Sequence, residues 1–281
     1  MSRLALSIVI VNWNTRELLR QCLESVRAQT AIPHEVFVVD NASGDGSPEM
    51  VARDFPEVQL LANDENRGFA AANNQALTKA QGYYCLLLNS DTIVLDHALD
   101  RMVGHLDSHL EAAAVGCKLL NADGSLQPSA HNFYHTLGSL IENRLVSRFV
   151  KRRFSWIPFL TYWDHSQIRK VDWVTGACLM VRHSVIDAIG LLDEGFFMYG
   201  EEIDWQFRMS QAGYEVYYLH EPAIIHLGGA SAAKAPEASR KLELQSRYRL
   251  IDKHYSPLSR RVFYAKSALA RLTWQTLGPS L

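Results

Sequence analysis

Residues Leu86–Val94 read LLLNSDTIV. Three leucines run directly into Asn89, Ser90 and Asp91, and the chain then turns apolar again. A short unbroken apolar run of this kind marks a strand covered on both faces, as in a parallel sheet packed between helices. The carboxylate is the anomaly. An Asp at a buried edge is costly unless it is paired or bound to a metal. The stretch predicts a central strand over Tyr83–Leu88 whose carboxyl end either caps something or holds something.

The pattern on either side agrees. Leu6–Val11 is a β-branched run, followed by Thr15 as the expected cap of a helix with Leu18, Leu19, Cys22, Leu23 and Val26 on one face. Glu35–Val39 and Val58–Leu61 read as strands, and Ser47-Pro48-Glu49 reads as a helix start. Gly68–Ala80 is an alanine-rich helix carrying Asn73 and Asn74. Asp96 is an expected cap for a helix to about Asp107, Ala113–Leu119 is a further strand, and Asn121–Gly124 is a hairpin turn. This alternation predicts an α/β fold with a Rossmann-like, mostly parallel sheet and helices on both faces. Strand and helix patterns return at Trp173–Val181, Ser184–Gly190 and Tyr214–Leu219, and the tail from Glu237 reads as a basic amphipathic helix.

Composition sets the bounds. The 281 residues fit one large α/β domain with an extension, or a barrel of the same size. We expect a main domain over residues 1–230, with halves at 1–120 and 121–230, and a helical C-terminal extension over 231–281. A net charge of −2 gives no general affinity for polyanions and no case for a nucleic-acid partner. Cys22, Cys85, Cys117 and Cys178 are widely spaced in apolar contexts, as buried free thiols of a reducing compartment would be. The N-terminus lacks a signal cleavage site, and no run of about 18 apolar residues occurs. A soluble, cytosolic protein is expected. Arg144–Trp163 is basic and aromatic with weak periodicity. It reads as a lid over an acceptor, as a peripheral contact on the cytosolic membrane face, or as a solvated loop.

In doubly wound sheets ligands bind at the carboxyl ends of the strands. Polar residues collect there: Asn12-Trp13-Asn14, Asp40-Asn41-Ala42-Ser43-Gly44-Asp45-Gly46, Asn63-Asp64-Glu65-Asn66-Arg67-Gly68 and Asn89-Ser90-Asp91. One such loop is a turn; four at one edge make a polar pocket. GxGxxG, GxxxxGK[ST] and GxSxG are all absent. An Asp ending the second strand can accept a hydrogen bond from a nucleobase imide. An Asn-x-Asp ending the fourth can put a carboxylate on a divalent cation that holds phosphate oxygens.

The ordered set SIVIVNWN, VVDNASGDGS, NRGFAAANNQAL, LLLNSDTIV, WVTGACLMVRHSVIDAIGLLDEGFFMYGEEIDWQFRMSQAGY and IIHLGG resembles the inverting GT-A glycosyltransferases of family 2, nearest their bacterial rhamnosyltransferase-like branch. The resemblance runs over about residues 5 to 255. It implies a GT-A fold and a Mg²⁺ or Mn²⁺ cofactor. It also implies a nucleotide-sugar donor, dTDP-rhamnose by likeness with UDP-sugars open, and a glycan or lipid-linked glycan acceptor. By position, Val11, Asn12 and Asn14 would line the nucleotide site, Asp40 and Asn41 the base, and Asn66, Gly68 and Asn73 the ribose and diphosphate. Asn89-Ser90-Asp91 occupies the family's metal motif with Asn for its first Asp, which leaves Asp91 as the main protein carboxylate on the metal, and His226 matches a family histidine that reaches the metal or the diphosphate. Read alone, His226 would be a satisfied core histidine. Trp173 and Gly176 to Cys178 match a segment that meets donor sugar or acceptor, with core packing the other reading for Trp173. Phe197 and Tyr199 would shape the sugar pocket. Glu201 and Glu202 stand at the catalytic acid motif, Glu202 at the base position and Glu201 able to take the role instead. Asp204 and Arg208, one helical turn apart, read as a structural ion pair.

Two other classes fit a polar sheet edge. A sugar-phosphate nucleotidyltransferase would carry a glycine-rich loop after its first strand, and NWNTREL has no glycine. A non-catalytic nucleotide-sugar binder would accommodate Asn89 and Glu202, both departures from the commonest motifs.

Overall fold

The computed structural model describes residues 4–133, 163–228, 236–265 and 267. In chain order the elements are β1 (Leu6–Asn12), α1 (Arg16–Gln29), β2 (His34–Asn41), α2 (Ser47–Asp54), β3 (Gln59–Asn63), α3 (Gly68–Leu77), β4 (Tyr84–Asn89), β5 (Thr92–Val94) and α4 (Ala98–Ser108). They continue with β6 (Ala112–Leu120), β7 (Leu126–Gln127), β8 (Ala130–His131), β9 (Arg169–Val171), β10 (Trp173–Val174), β11 (Cys178–Arg182), α5 (His183–Ile189), α6 (Glu201–Gln211), β12 (Glu215–His226) and α7 (Pro236–His254).

The chain divides into two compact units, Met1–Asn132 with His165–Ser246, and Phe133–Asp164 with Arg247–Leu281. The first holds the sheet. Its order is β3-β2-β1-β4-β11-β6-β12-β5, with β7 on β6 and β9 on β12. β1 pairs in parallel with β2 and β4, β2 with β3, and β6 with β12. Strand parity assigns the faces. Leu6, Ile8 and Ile10 of β1, with Val36, Val38, Leu86 and Leu88, join one core cluster with Leu19, Cys22, Met50, Met102 and Leu106 of α1, α2 and α4. The alternate residues Val9, Phe37 and Leu87 are also fully buried, and α3 packs over β1 and β2 through Ala72 and Ala76. Burial on both faces is what the unbroken apolar runs encode, at about 1.5–3 kcal/mol per large aliphatic side chain.

Local expectations shift in four places. β11 runs antiparallel between β4 and β6, so the sheet is mixed. The apolar Thr92–Val94 after the opening motif is an edge strand antiparallel to β12. Thr15 sits at the N-cap of α1 but spends its hydroxyl on Asn12 Oδ1 (2.7 Å) and Ser90 Oγ (2.9 Å); Asp45 Oδ2 accepts the Arg16 N–H instead (2.9 Å). His97, not Asp96, is the cap residue of α4.

Asp204 and Arg208 form the expected ion pair (3.0 Å), and Arg208 also donates to the carbonyls of Ile189 (2.7 Å) and Leu191 (2.6 Å). The hairpin at Asn121–Gly124 is present, with Gly124 N–H donating to Asn121 O (2.9 Å). The tail is helical over Pro236–His254, and most of its residues before Leu250 are exposed; Ser246, a buried exception, donates to Met198 O (2.9 Å). All four cysteines are buried free thiols. Among the described residues no helix is long and apolar enough to cross a membrane. The segment Arg144–Trp163 lies, apart from Trp163, outside the described residues, and so does the expected boundary at 230.

Candidate active site

Parallel strands share their carboxyl edge. β1, β2 and β4 end there, β12 arrives there with His226, and antiparallel β11 starts there after the Thr175–Ala177 turn. The amino end of α6 completes the edge. Gln206 fixes α6 to β10 by accepting the Val174 N–H and donating to the Val174 O, each at 2.8 Å. The result is a cleft of about 280 Å³.

Of the residues singled out from sequence, Val11, Asn41, Asn66, Gly68, Asn89, Ser90, Asp91, Gly176, Glu201, Glu202 and His226 line this cleft. Asn12, Asn14, Asp40, Asn73 and Trp173 do not. Asn12 and Asp40 are buried directly behind it. The Asn12 amide donates to Asp40 Oδ1 (2.7 Å) and Ser43 Oγ (3.1 Å), and Ser43 N–H donates to Asp40 Oδ2 (2.8 Å). Asn14, at φ +56°, accepts the Gly44 N–H (2.8 Å) and so closes the same loop. Asn73 donates to Phe69 O within α3 (2.8 Å). Trp173 stacks on His131 with ring centroids 4.4 Å apart and donates to Asn132 O (3.3 Å).

One wall is built around Gly68. Its φ is +82°, Asn66 Oδ1 accepts its N–H (3.0 Å), and Asn41 donates to its carbonyl (3.1 Å). A Cβ there would stand 2.3 Å from Phe197 O, the atom that accepts the Phe69 N–H at 2.7 Å. Only glycine permits this approach. Asn74 ties the loop beyond α5 to the same helix, bonding Leu192 O (2.9 Å) and Leu192 N (3.1 Å).

At one end of the cleft His226 Nε2 lies 3.2 Å from Asp91 Oδ1 and 3.2 Å from Asn89 Nδ2. An imidazole lone pair and a carboxylate converging in this way suit a divalent cation whose other positions are filled by substrate oxygens and water. Among the described residues no group of three or more His, Cys, Asp or Glu forms a self-sufficient cage.

At the first turn of α6, Glu201 is 4% exposed and its Oε2 has no hydrogen-bond partner. Burial, then the charge of Glu202, pushes its carboxyl well above the usual range. Glu202 is partly exposed, accepts the Gly200 N–H on Oε2 (3.1 Å), and is also raised by burial. Both carboxyls are raised, and Glu202 is the more exposed of the two. A carboxylate with raised basicity in a cleft is equipped for proton abstraction.

The cleft also takes in Trp13, Phe69, Thr175, Ala177, Met198 and Tyr199. Of these, only Tyr199 was assigned to the sugar pocket from sequence; Phe197, assigned with it, contributes its backbone to the Gly68 wall instead. Ala177 belongs to the Gly176–Cys178 segment assigned to donor sugar or acceptor; Thr175 precedes Gly176 and Met198 precedes Tyr199, so adjacency was the available signal for those two. Gln127, whose Oε1 meets His226 Nδ1 at 2.6 Å, carried no sequence signal.

The model of glycosyl transferase family 2 matches residues 7–190. That match stops short of Glu201, Glu202 and His226. A longer likeness covers them. The chain is 26% identical to an N-acetylglucosaminyl-diphospho-decaprenol L-rhamnosyltransferase of Mycobacterium tuberculosis over 268 residues, 89% of this chain and 85% of that one. The fold is similar to a mannosyltransferase of Pyrobaculum calidifontis in complex with GDP-Man and Mn²⁺, with a TM-score of 0.61 at 17% identity over 100% of this chain and 77% of that one. It is also similar to GalNAc-T7 with UDP, GalNAc and Mn²⁺, with a TM-score of 0.58 at 15% identity over 80% of this chain and 44% of that one. The chain belongs to glycosyl transferase family 2, as a glycosyltransferase with the GT-A fold.

Proposed function

We propose that this enzyme transfers rhamnose, with inversion, from dTDP-rhamnose to a hydroxyl of a glycan or lipid-linked glycan. The carrying observation is one cleft with the Asp91–His226 pair at one end and Glu202 on its wall. The likeness to the mycobacterial rhamnosyltransferase, whose name specifies a lipid diphosphate acceptor, supports the choice of sugar and acceptor class. The solved neighbours hold UDP and GDP-Man, so the fold alone leaves the base open.

In this reading Glu202 takes the proton of the acceptor hydroxyl while that oxygen attacks the anomeric carbon from the face opposite the diphosphate. The bond from the anomeric carbon to the diphosphate oxygen breaks, and its electron pair leaves on the nucleoside diphosphate. Mg²⁺ or Mn²⁺, held by Asp91 and His226, would neutralise that leaving group as a Lewis acid. Asn41, Asn66 and Gly68 border the ribose and diphosphate. Asp40, each of whose oxygens keeps a second lone pair, reads the base from behind with Asn12 and Asn14 bracing its loop. Asn73 braces Phe69, which lines the cleft, while Trp173 packs on His131 outside it. Gly176 leaves room beside the Glu202 stem, 3.4 Å from the position of its missing Cβ.

A thermal-shift panel of dTDP-rhamnose, UDP-glucose and GDP-mannose, with and without Mn²⁺, tests the donor, because a ligand bound only to the folded state raises Tm by mass action. The largest shift is expected for dTDP-rhamnose with Mn²⁺. A larger shift for either other donor would overturn the sugar, and a shift independent of metal would overturn the cofactor.

A further inference from the structure

We infer that Gln127 is a positioning residue that fixes the ring tautomer of His226 and so aims its lone pair at Asp91; this rests on the proposed metal role of that pair. The geometry is a closed loop. Gln127 Nε2 donates to the His226 backbone carbonyl (3.2 Å) and to Asn121 Oδ1 (2.9 Å). A backbone carbonyl is an acceptor in every protonation state, so the amide nitrogen of Gln127 must face it. Its Oε1 then faces His226 Nδ1 at 2.6 Å. Facing an amide oxygen, Nδ1 must carry the hydrogen, and the neutral ring keeps its lone pair on Nε2.

That lone pair accepts from Asn89 Nδ2 and faces Asp91 Oδ1, both at 3.2 Å. Two electron-rich atoms at this distance repel unless a positive charge lies between them; a proton on Nε2 supplies one in an ion pair, and a divalent cation supplies one when bound. The backbone carbonyl of His226 thus orients the amide that orients its own ring. The turn at Asn121–Gly124 makes this possible. It folds β7 back on β6, pairing Leu119 with Gln127, while Asn121 is itself tied to Ser125 Oγ (2.9 Å). Partners of this kind govern both the orientation and the basicity of a ligating histidine.

The test uses the full chain labelled with ¹⁵N-histidine. Long-range ¹H–¹⁵N correlations read the His226 tautomer without metal, and loss of the free Mn²⁺ signal in electron paramagnetic resonance, with dTDP or UDP present, reads affinity. The parent should show the Nδ1–H form. Gln127→Leu should show a tautomer mixture and bind Mn²⁺ about 10- to 100-fold more weakly. Gln127→Glu keeps an oxygen on Nδ1–H, so it should hold the tautomer and lose less affinity than the leucine variant. Retention of a pure Nδ1–H signal and of parental Mn²⁺ affinity in Gln127→Leu would overturn the inference. If the parent binds no Mn²⁺, the metal reading fails, and the tautomer alone then decides the role of Gln127.

Discussion

His226 Nε2 faces Asp91 Oδ1 at 3.2 Å, and the backbone holds the two in place. His226 pairs with Thr92 across β12 and β5, and Leu227 N–H donates to Asp91 O at 2.9 Å. The end of the central strand and the end of the last strand are thus stitched side by side, one supplying a carboxylate and the other an imidazole.

If this pair holds the cation, Asp91→Ala and His226→Ala should each abolish the extra rise in Tm that Mn²⁺ gives in the presence of donor. Losing several kcal/mol of charge stabilisation on the leaving diphosphate corresponds to about 10²–10³-fold in turnover. Release of nucleoside diphosphate measures the second effect. A variant that keeps both the metal-dependent shift and the rate removes that residue from the metal site.

Glu202→Gln conserves shape and can still accept the Gly200 N–H, but it cannot take a proton. Turnover should drop by about 10²–10⁴-fold, with donor KM little changed. Burial raises the Glu202 carboxyl, so in the parent the acidic limb of kcat should lie above the ordinary glutamate range. If Glu201→Gln removes turnover and Glu202→Gln spares it, the base is Glu201.

The sheet was legible in the sequence because its central strands are buried on both faces and so carry unbroken apolar runs. Turn residues at their ends marked the ligand edge, and that edge is where the cleft opens. What sequence could not supply is whatever depends on the partner across space. The antiparallel insertion of β11 follows from pairing with β4 and β6, which a run such as CLMVR does not encode. Thr15 carries an ordinary capping signal, and its hydroxyl is diverted to Asn12 Oδ1 at 2.7 Å and to Ser90 Oγ at 2.9 Å. Glu201 and Glu202 are chemically identical neighbours that both border the cleft; the helix buries Glu201 and leaves Glu202 partly exposed, and their different environments separate them.

Glu201 also predicts a dependence of stability on pH. Its folded-state carboxyl is raised above the unfolded value, so the folded state binds the proton more tightly. The resulting stabilisation is complete below the ordinary glutamate range and is lost as pH rises toward the raised value. Glu201→Gln removes the titration and fills the same volume. It should therefore gain Tm relative to the parent as pH goes from about 5 to about 8, by roughly 2–4 °C for each kcal/mol recovered. Thermal denaturation across that range decides it. A constant offset between the two proteins would mean that the Glu201 carboxyl is not raised in the folded state.

Gly68→Ala tests whether the cleft wall depends on close backbone approach. At φ +82° an added Cβ meets both left-handed backbone strain and a carbonyl oxygen 2.3 Å away. Gly213 is the control: its φ is +84°, yet a Cβ there meets nothing within 4 Å. Gly213→Ala should cost only the backbone term, about 1 kcal/mol. Gly68→Ala should cost about 1–3 kcal/mol more, because Phe197 O must move and its bond to Phe69 N–H is weakened. That displacement carries Asn66 and Asn41 with it through their bonds to Gly68, so donor KM should rise in this variant and stay constant in the control. Urea denaturation and steady-state kinetics on the two variants give the comparison. Equal destabilisation with unchanged KM in both would mean that the approach of Gly68 to Phe197 has no part in shaping the cleft.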